Sequence, residues 1–160
     1  MLKTLREFFE RNVAGSIEDS SEGRREHAFQ LATAALLMEI SRADREIDSD
    51  EREAVVRAVQ NVFELDAKET KTLVELAEEE AENATSLYEF TRLINDNFDH
   101  AQKQHVVEML WQVAFADGHA DEYEVHLIRR IADLIHVPHK GFIRAKLKVQ
   151  SERKTGGRSR

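Results

Sequence analysis

The chain contains no cysteine, only one proline and only six glycines among its 160 residues. The lack of cysteine excludes a disulfide framework, a thiolate metal site and a thiol nucleophile. So few prolines and glycines disfavour a turn-rich β fold and favour helices. With 41% hydrophobic and 34% charged residues, the composition is that of a globular domain that can bury a core.

Long apolar runs are missing as well. No stretch approaches the roughly 20 residues of a membrane-spanning helix. The first residues, MLKTLREFFERN, carry charges where a signal peptide has an apolar stretch. We therefore expect a cytoplasmic protein.

Common catalytic motifs are also lacking. The sequence has no P-loop, dinucleotide fingerprint or nucleophile elbow, and it has no Glu-x-x-His motif of the kind a di-iron bundle needs. Six of the seven histidines follow residue 99. Of these, His119 and His126 could join an acidic site, although a surface or capping role is the simpler interpretation.

The net charge of −8 is unevenly distributed. From Lys140 onward, eight basic residues and one acidic residue give +7, which leaves −15 for the rest of the chain. Such an acidic body repels a phosphate backbone, so we expect no nucleic-acid partner. The last ten residues, SERKTGGRSR, contain no apolar side chain, which favours a disordered basic tail.

Two segments 73 residues apart share the pattern Ala-Asp, three residues, Asp, two residues, Glu. The first is ADREIDSDE at 43–51 and the second is ADGHADEYE at 116–124. Apolar positions on both sides also correspond: Leu36, Leu37, Ile40, Val55, Ala58, Val59 and Val62 match Met109, Leu110, Val113, Ile128, Ile131, Ala132 and Ile135. The chain therefore contains a duplicated helix–acidic turn–helix unit.

Apolar residues recur at helical spacing along the chain and predict an all-α bundle of seven or eight helices. We divide it into an N-terminal amphipathic helix (1–14), a linker (15–23), a helical domain (24–149) and the tail (150–160). The first helix has an apolar face formed by Leu2, Leu5, Phe8 and Phe9. We expect this face to pack on the protein's own bundle or on a second copy in a homodimer; weak contact with a membrane surface is the alternative.

The acidic turns have two interpretations. Asp48-x-x-Glu51 and Asp121-x-x-Glu124 are capping boxes, which explains these four residues without any ligand. Capping does not explain Asp44 and Asp117, which face the negative end of the preceding helix dipole. A divalent cation, a Lys or Arg side chain, or backbone N–H groups of the next helix could offset their charge.

A cation site would use three carboxylates in each turn. The candidate metal ligands are Asp117, Asp121 and Glu124 in the second turn and Asp44, Asp48 and Glu51 in the first. The spacing is not that of an EF-hand, and oxygen ligands favour calcium or magnesium. Since Gly118 permits positive φ where Arg45 resists it, we expect the second turn to bind more tightly.

The twin pattern, set within long apolar helices, resembles the TerB-like family, named for a tellurite-resistance protein. The resemblance covers about residues 29–147 and is closer in the second turn, which has the Ala-Asp-Gly typical of the family. It implies an all-helical fold with acidic divalent-cation sites. Arg45 stands where the family usually has Gly.

The sequence thus favours a non-enzymatic, cation-binding helical interaction module, with a stress-response role such as tellurite resistance implied by the resemblance. One alternative is a small metal-dependent hydrolase whose acidic turns hold a catalytic cation. Another is a membrane-associated adaptor that uses the N-terminal helix. The sequence does not identify a protein partner.

Overall fold

The computed structural model describes residues 5–14, 21–44, 46–82, 89–116, 118 and 120–158. In this part of the chain the regular structure is entirely helical, which confirms the predicted all-α class. Its eight α-helices are α1 (Leu5–Phe9, continued by a π-helical segment, Glu10–Ala14), α2 (Glu22–Ala43), α3 (Ser49–Val62), α4 (Ala67–Glu82), α5 (Glu89–Asn97), α6 (His100–Ala114), α7 (Glu122–Leu134) and α8 (His139–Arg158).

Several helices begin where the sequence places a cap. Asp48 and Glu51 exchange side-chain-to-backbone hydrogen bonds of 2.8 and 3.0 Å at the start of α3. Equivalent reciprocal bonds start α4 and α6. Helix α2 begins at Glu22, inside the predicted linker, because the Ser21 side chain accepts the Arg24 N–H. Each cap satisfies backbone donors that the first helical turn leaves without partners.

Helix α8 extends beyond the end predicted from the sequence. It continues to Arg158, past the boundary at 149 where a disordered tail is predicted. Residues 150–154 are Gln, Ser, Glu, Arg and Lys, most of which have good helix propensity. The helix therefore continues past residue 149 without needing an apolar face there.

The two repeats are α2–α3–α4 and α6–α7–α8. In each, the first helix packs against the other two, and α2 and α6 contact one another. The contacts between repeats are reciprocal, since α2 packs against α7 and α6 packs against α3. Val55, Val59, Ile128 and Ala132 are all buried. This is the arrangement expected of two equivalent units related by an approximate two-fold axis.

The ends of α3 and α7 share a backbone motif, although it lies 72 rather than 73 residues apart because α7 is one residue shorter than α3. Glu64 and His136 both adopt the left-handed conformation, with φ of 52° and 64°. The residue after each donates its N–H five residues back, Leu65 to Gln60 and Val137 to Ala132. These bonds are those of a Schellman motif, which usually has glycine at the left-handed position. Neither repeat has glycine there, so sequence inspection gives no sign of the shared ending.

Helix α2 forms the centre of the first repeat. Every residue from Leu31 to Ser41 is buried. One of them is Glu39, whose carboxylate accepts the backbone N–H groups of Phe90 and Thr91 and the Thr91 hydroxyl at 2.8–3.0 Å. Hydrogen bonds and the positive end of the α5 dipole stabilise this buried charge. Glu39 therefore fixes the start of α5 against α2.

The N-terminal segment packs on the protein's own bundle. Phe8, Phe9 and Val13 are buried, and the Phe9 ring meets Phe90 edge to face at 5.7 Å. This confirms the expected self-packing for these residues. Leu2 and the Leu5 side chain lie outside the described part. Across the described residues, none of the helices has the length and apolarity needed to cross a membrane.

We predict that Glu64→Gly raises the free energy of unfolding by up to about 1 kcal/mol. Glycine removes the steric cost of the left-handed conformation, and the greater freedom of the unfolded chain cancels part of that gain. Urea unfolding followed by the fluorescence of the buried Trp111 measures the change. Glu75→Gly is the matched control: Glu75 is exposed inside α4, so this variant should lose up to about 1 kcal/mol. Destabilisation by Glu64→Gly would contradict the prediction.

A histidine–carboxylate pair joins α2 to α4. His27 Nε2 lies 2.8 Å from Glu69 Oε2, and its Nδ1 lies 3.1 Å from Gln30 Oε1. Burial by itself would lower the pKa of His27, but the hydrogen bonds to Glu69 and Gln30 and the charges of Glu69 and Asp66 outweigh it. The pKa of His27 is therefore raised above its ordinary value of 6.5.

This pair should make stability depend on pH. Because the folded pKa of His27 is raised, its contribution is fully present below about pH 6.5 and is lost as pH rises through the folded pKa. Glu69→Gln removes the charge and keeps the α4 capping box. We expect the melting temperature of the variant to fall below that of the parent at about pH 6 and to approach it at about pH 8.5. A difference independent of pH would contradict this.

Candidate metal centre

The first acidic turn is built around the Asp44 carboxylate, at the C-terminal end of α2. Its Oδ1 accepts the Glu46 backbone N–H at 2.8 Å, and its side chain is only 6% exposed. Ile47, which follows Glu46, is buried and anchors the turn to the core. The local hydrogen bond and this apolar anchor hold the Asp44 side chain in one place.

Arg52 satisfies the carbonyl groups at the end of α2. It donates from Nε to the Ser41 carbonyl and from one terminal nitrogen to the Asp44 carbonyl, both at 3.0 Å. A cation here neutralises the negative end of the helix dipole. Arg52 therefore offsets the negative end of the α2 dipole, where Asp44 lies, through backbone carbonyls. The Asp44 carboxylate itself accepts a backbone N–H, which comes from Glu46 in the turn rather than from the next helix.

His126, from the second repeat, completes the site. Its Nε2 lies 2.9 Å from Asp44 Oδ2 and 3.6 Å from Glu46 Oε2. The packing of α7 against α2 makes this contact across 82 positions of sequence. One ligand atom from each of Asp44, Glu46 and His126 lies within 4.8 Å of the other two. The cluster thus joins the first acidic turn to the helix that follows the second.

The cluster can act as an ion pair or as a metal-ligand set. Zinc ligands about 2.0–2.2 Å from the ion lie roughly 3.3–3.6 Å apart in a tetrahedron, and the two contacts of His126 bracket that spacing. Beside Glu46 and His126 is a solvent-open depression of about 540 Å³, which Tyr123 and Arg129 also line. A metal bound to three protein ligands could take a further ligand from that side.

The other predicted ligands have different positions. Asp48 and Glu51 form the α3 capping box, and Glu124 accepts the Asp121 N–H at 3.1 Å in the matching place. Asp117 and His119 lie outside the described residues, so the second turn stays a prediction. Gly118 has φ of 100°, the positive value that its residue type suggested.

Two members of the cluster were not predicted ligands. Glu46 lies inside the first pattern, at a position where the second has His119, so the comparison of repeats drew no attention to it. For His126 the sequence alone favours a surface or capping role over a ligand role. The sequence feature that could have indicated a ligand is its position, near the start of the helix that follows the second acidic segment. Its partner depends on how α7 packs against α2.

The fold and the site define a class of protein: a duplicated, all-helical module with an acidic turn between the first two helices of each repeat. A family model described as tellurite resistance protein TerB matches residues 30–147, which is most of the chain. The chain belongs to the TerB family. The comparison with curated proteins gave no match, and the comparison with solved structures gave none.

We predict that Arg52→Met lowers the free energy of unfolding by about 1.5–3 kcal/mol, because two partly buried carbonyls lose charged hydrogen bonds. Urea unfolding followed by Trp111 fluorescence measures the loss. Arg57→Met is the matched control on the same helix. Arg57 is exposed and lies 4.0 Å from Glu53, so its removal should cost no more than about 0.5 kcal/mol. Equal losses in the two variants would show that Arg52 does not hold the turn.

Proposed function

We propose that this protein is a non-enzymatic helical module that binds a divalent cation between its two repeats. The observation that carries the proposal is the convergence of Asp44, Glu46 and His126 within 4.8 Å. Asp44 is buried and fixed by the turn, whereas the Glu46 side chain is 79% exposed and can adjust to an incoming ion. One rigid and one adaptable carboxylate beside an imidazole form a plausible ligand set.

The imidazole bears on which cation binds. Calcium takes six to eight oxygen ligands and magnesium prefers oxygen in an octahedron. Imidazole suits zinc, copper, iron and nickel, whereas manganese, the weakest binder among the first-row divalent ions, is better suited by oxygen ligands. A site with His126 therefore favours zinc over the calcium or magnesium expected of turns that offer carboxylates alone.

Binding would connect the two halves of the bundle. Asp44 and Glu46 belong to the first repeat, and His126 belongs to the second. A cation held by all three replaces one hydrogen bond with coordinate bonds across the α2–α7 contact. A ligand that binds only the folded state at 100 times its Kd stabilises it by about 2.7 kcal/mol. The cation would thus stabilise the module.

The biological setting we propose follows from the family. The matching family model is described by a tellurite-resistance protein, so a stress-response role, tellurite resistance included, is the starting hypothesis. No reaction is assigned to the cluster. Its place between the repeats suits a structural cation that holds α7 against α2 and so keeps the two repeats in fixed positions for a partner.

The test is a calorimetric titration of metal-free protein with zinc, manganese, calcium and magnesium. We expect one site with the highest affinity for zinc, and at least a tenfold loss of affinity, about 1.4 kcal/mol, in both Asp44→Asn and His126→Gln. The amide side chain introduced by Asp44→Asn still offers an oxygen to the Glu46 N–H, so the turn should persist. Circular dichroism and Trp111 fluorescence verify that each variant is folded.

Two further variants sharpen the test. Asp66→Asn is the matched control, because Asp66 caps α4 away from the cluster and Asn is an equally good cap. Its affinity should equal that of the parent. Asp117→Asn/Asp121→Asn tests the second turn separately. If the parent binds none of the four cations, or if His126→Gln binds as tightly as the parent, the proposed site is wrong.

A further inference from the structure

Helix α8 displays a continuous stripe of exposed side chains. Lys140, Arg144, Leu147 and Ser151 follow one another at spacings of four, three and four residues and are all exposed. This spacing places them along one face of the helix. Leu147 is 58% exposed and is the large hydrophobic side chain that the described part of the chain leaves in solvent. The stripe therefore has an apolar centre with cations on its N-terminal side.

The positive charge of this stripe is not neutralised by the described residues. Within the described residues, neither Lys140 nor Arg144 forms an ion pair or a side-chain hydrogen bond, whereas the neighbouring Lys148 is paired with Glu108 at 3.1 Å. Helix α8 contains seven basic residues and one acidic residue. Lys140 and Arg144 are therefore available to pair with acidic groups of another molecule, and Leu147 lies beside them.

The equivalent helix of the other repeat has the opposite charge. Helix α4 contains six acidic and two basic residues, and Glu75, Glu78 and Glu79 are exposed on it. Within the described part of the chain these three carboxylates have no partner. The two outer helices thus give the molecule one basic side and one acidic side.

Next to the acidic side is a pocket of about 200 Å³ between α2, α3 and α4. Glu53 and Glu78 contribute carboxylates to it, and its apolar lining comes from Met38, Val56, Val74 and Ala77. Arg42 and Arg52 also line it, and Arg52 is held by the carbonyls of α2. The pocket is large enough for one leucine side chain.

We propose that copies of this protein associate head to tail. The α8 stripe of one copy lies on the α4 side of the next, with Leu147 in the pocket and Arg144 near Glu78. Helix α4 packs on α2, whereas α8 packs on α6 and α7, so each molecule has one surface of each kind. Pairing unlike surfaces is a heterologous contact, which produces chains or a closed ring rather than a two-fold dimer.

Charge complementarity favours a second copy over an anionic membrane or nucleic acid. Outside the segment from Lys140 onward the chain has a net charge of −15, which an anionic surface would repel. A second copy instead presents its acidic α4 side to the α8 stripe. The contact should therefore be strong at low ionic strength and weak at high ionic strength.

The experiment is sedimentation equilibrium of the full chain, whose monomer mass is 18.4 kDa. At about 10 mM ionic strength, where the screening length is roughly 30 Å, the weight-average mass of the parent should rise above 18.4 kDa with concentration. At about 1 M salt the screening length is roughly 3 Å, and the weight-average mass should fall toward that of the monomer.

A charge exchange tests the pairing itself. Arg144→Glu alone and Glu78→Arg alone should each remain monomeric, because each places like charges across the contact. An equimolar mixture of the two variants should regain the larger mass, because each acidic surface then meets a basic one. Leu147→Gln should weaken association without changing its dependence on salt. Arg92→Glu is the control, because Arg92 is exposed on α5. This variant should associate like the parent.

Three results would overturn the proposal. One is a parent that stays at 18.4 kDa at every concentration at low ionic strength, whether or not it binds phosphatidylserine vesicles. Another is association that survives in both Arg144→Glu and Glu78→Arg. The third is a mixture of the two variants that remains monomeric.

Discussion

Helices α2 and α6 lie against each other, and each also packs on the middle helix of the opposite repeat. Small side chains let the neighbouring backbones approach closely, and α2 buries four of them: Ala28, Ala32, Ala34 and Ala35. Two buried carboxylates hold other elements against α2. Glu39 reaches the first N–H groups of α5, and Asp44, at the end of the same helix, reaches His126 on α7. A buried carboxylate without partners would cost several kcal/mol, so both are tolerated because another element brings donors to them.

The two repeats are similar in fold and different in chemistry. In the aligned sequence, His126 corresponds to Glu53, so at this position only the second repeat has an imidazole. The outer helices α4 and α8 occupy equivalent places but carry opposite charge. A symmetric fold thus carries an asymmetric distribution of ligands and charges. We infer that cation binding and association between copies use this asymmetry, one at the contact between repeats and the other at the outer helices.

The sequence by itself determined the features that depend on neighbouring residues. The scarcity of Pro and Gly, the apolar spacing and the reciprocal Asp–Glu boxes at the helix starts specify helices and their beginnings, because capping and amphipathicity act within one or two turns. The duplicated pattern likewise revealed the equivalent burial of Val59 and Ala132. All of these features follow from the order of neighbouring residues, so they can be predicted from the sequence alone.

Tertiary structure decided what depends on distant segments. Asp44 meets His126 across 82 positions and Glu39 meets Phe90 across 51, and no local rule pairs such residues. The left-handed endings at Glu64 and His136 occur without glycine, because the packed core fixes the chain on either side of them. Helix α8 continues to Arg158 although its last residues lack an apolar face. In each case the stabilising free energy comes from contacts with distant residues or from propagation of the helix. A pattern of apolar residues in the sequence therefore does not predict these features.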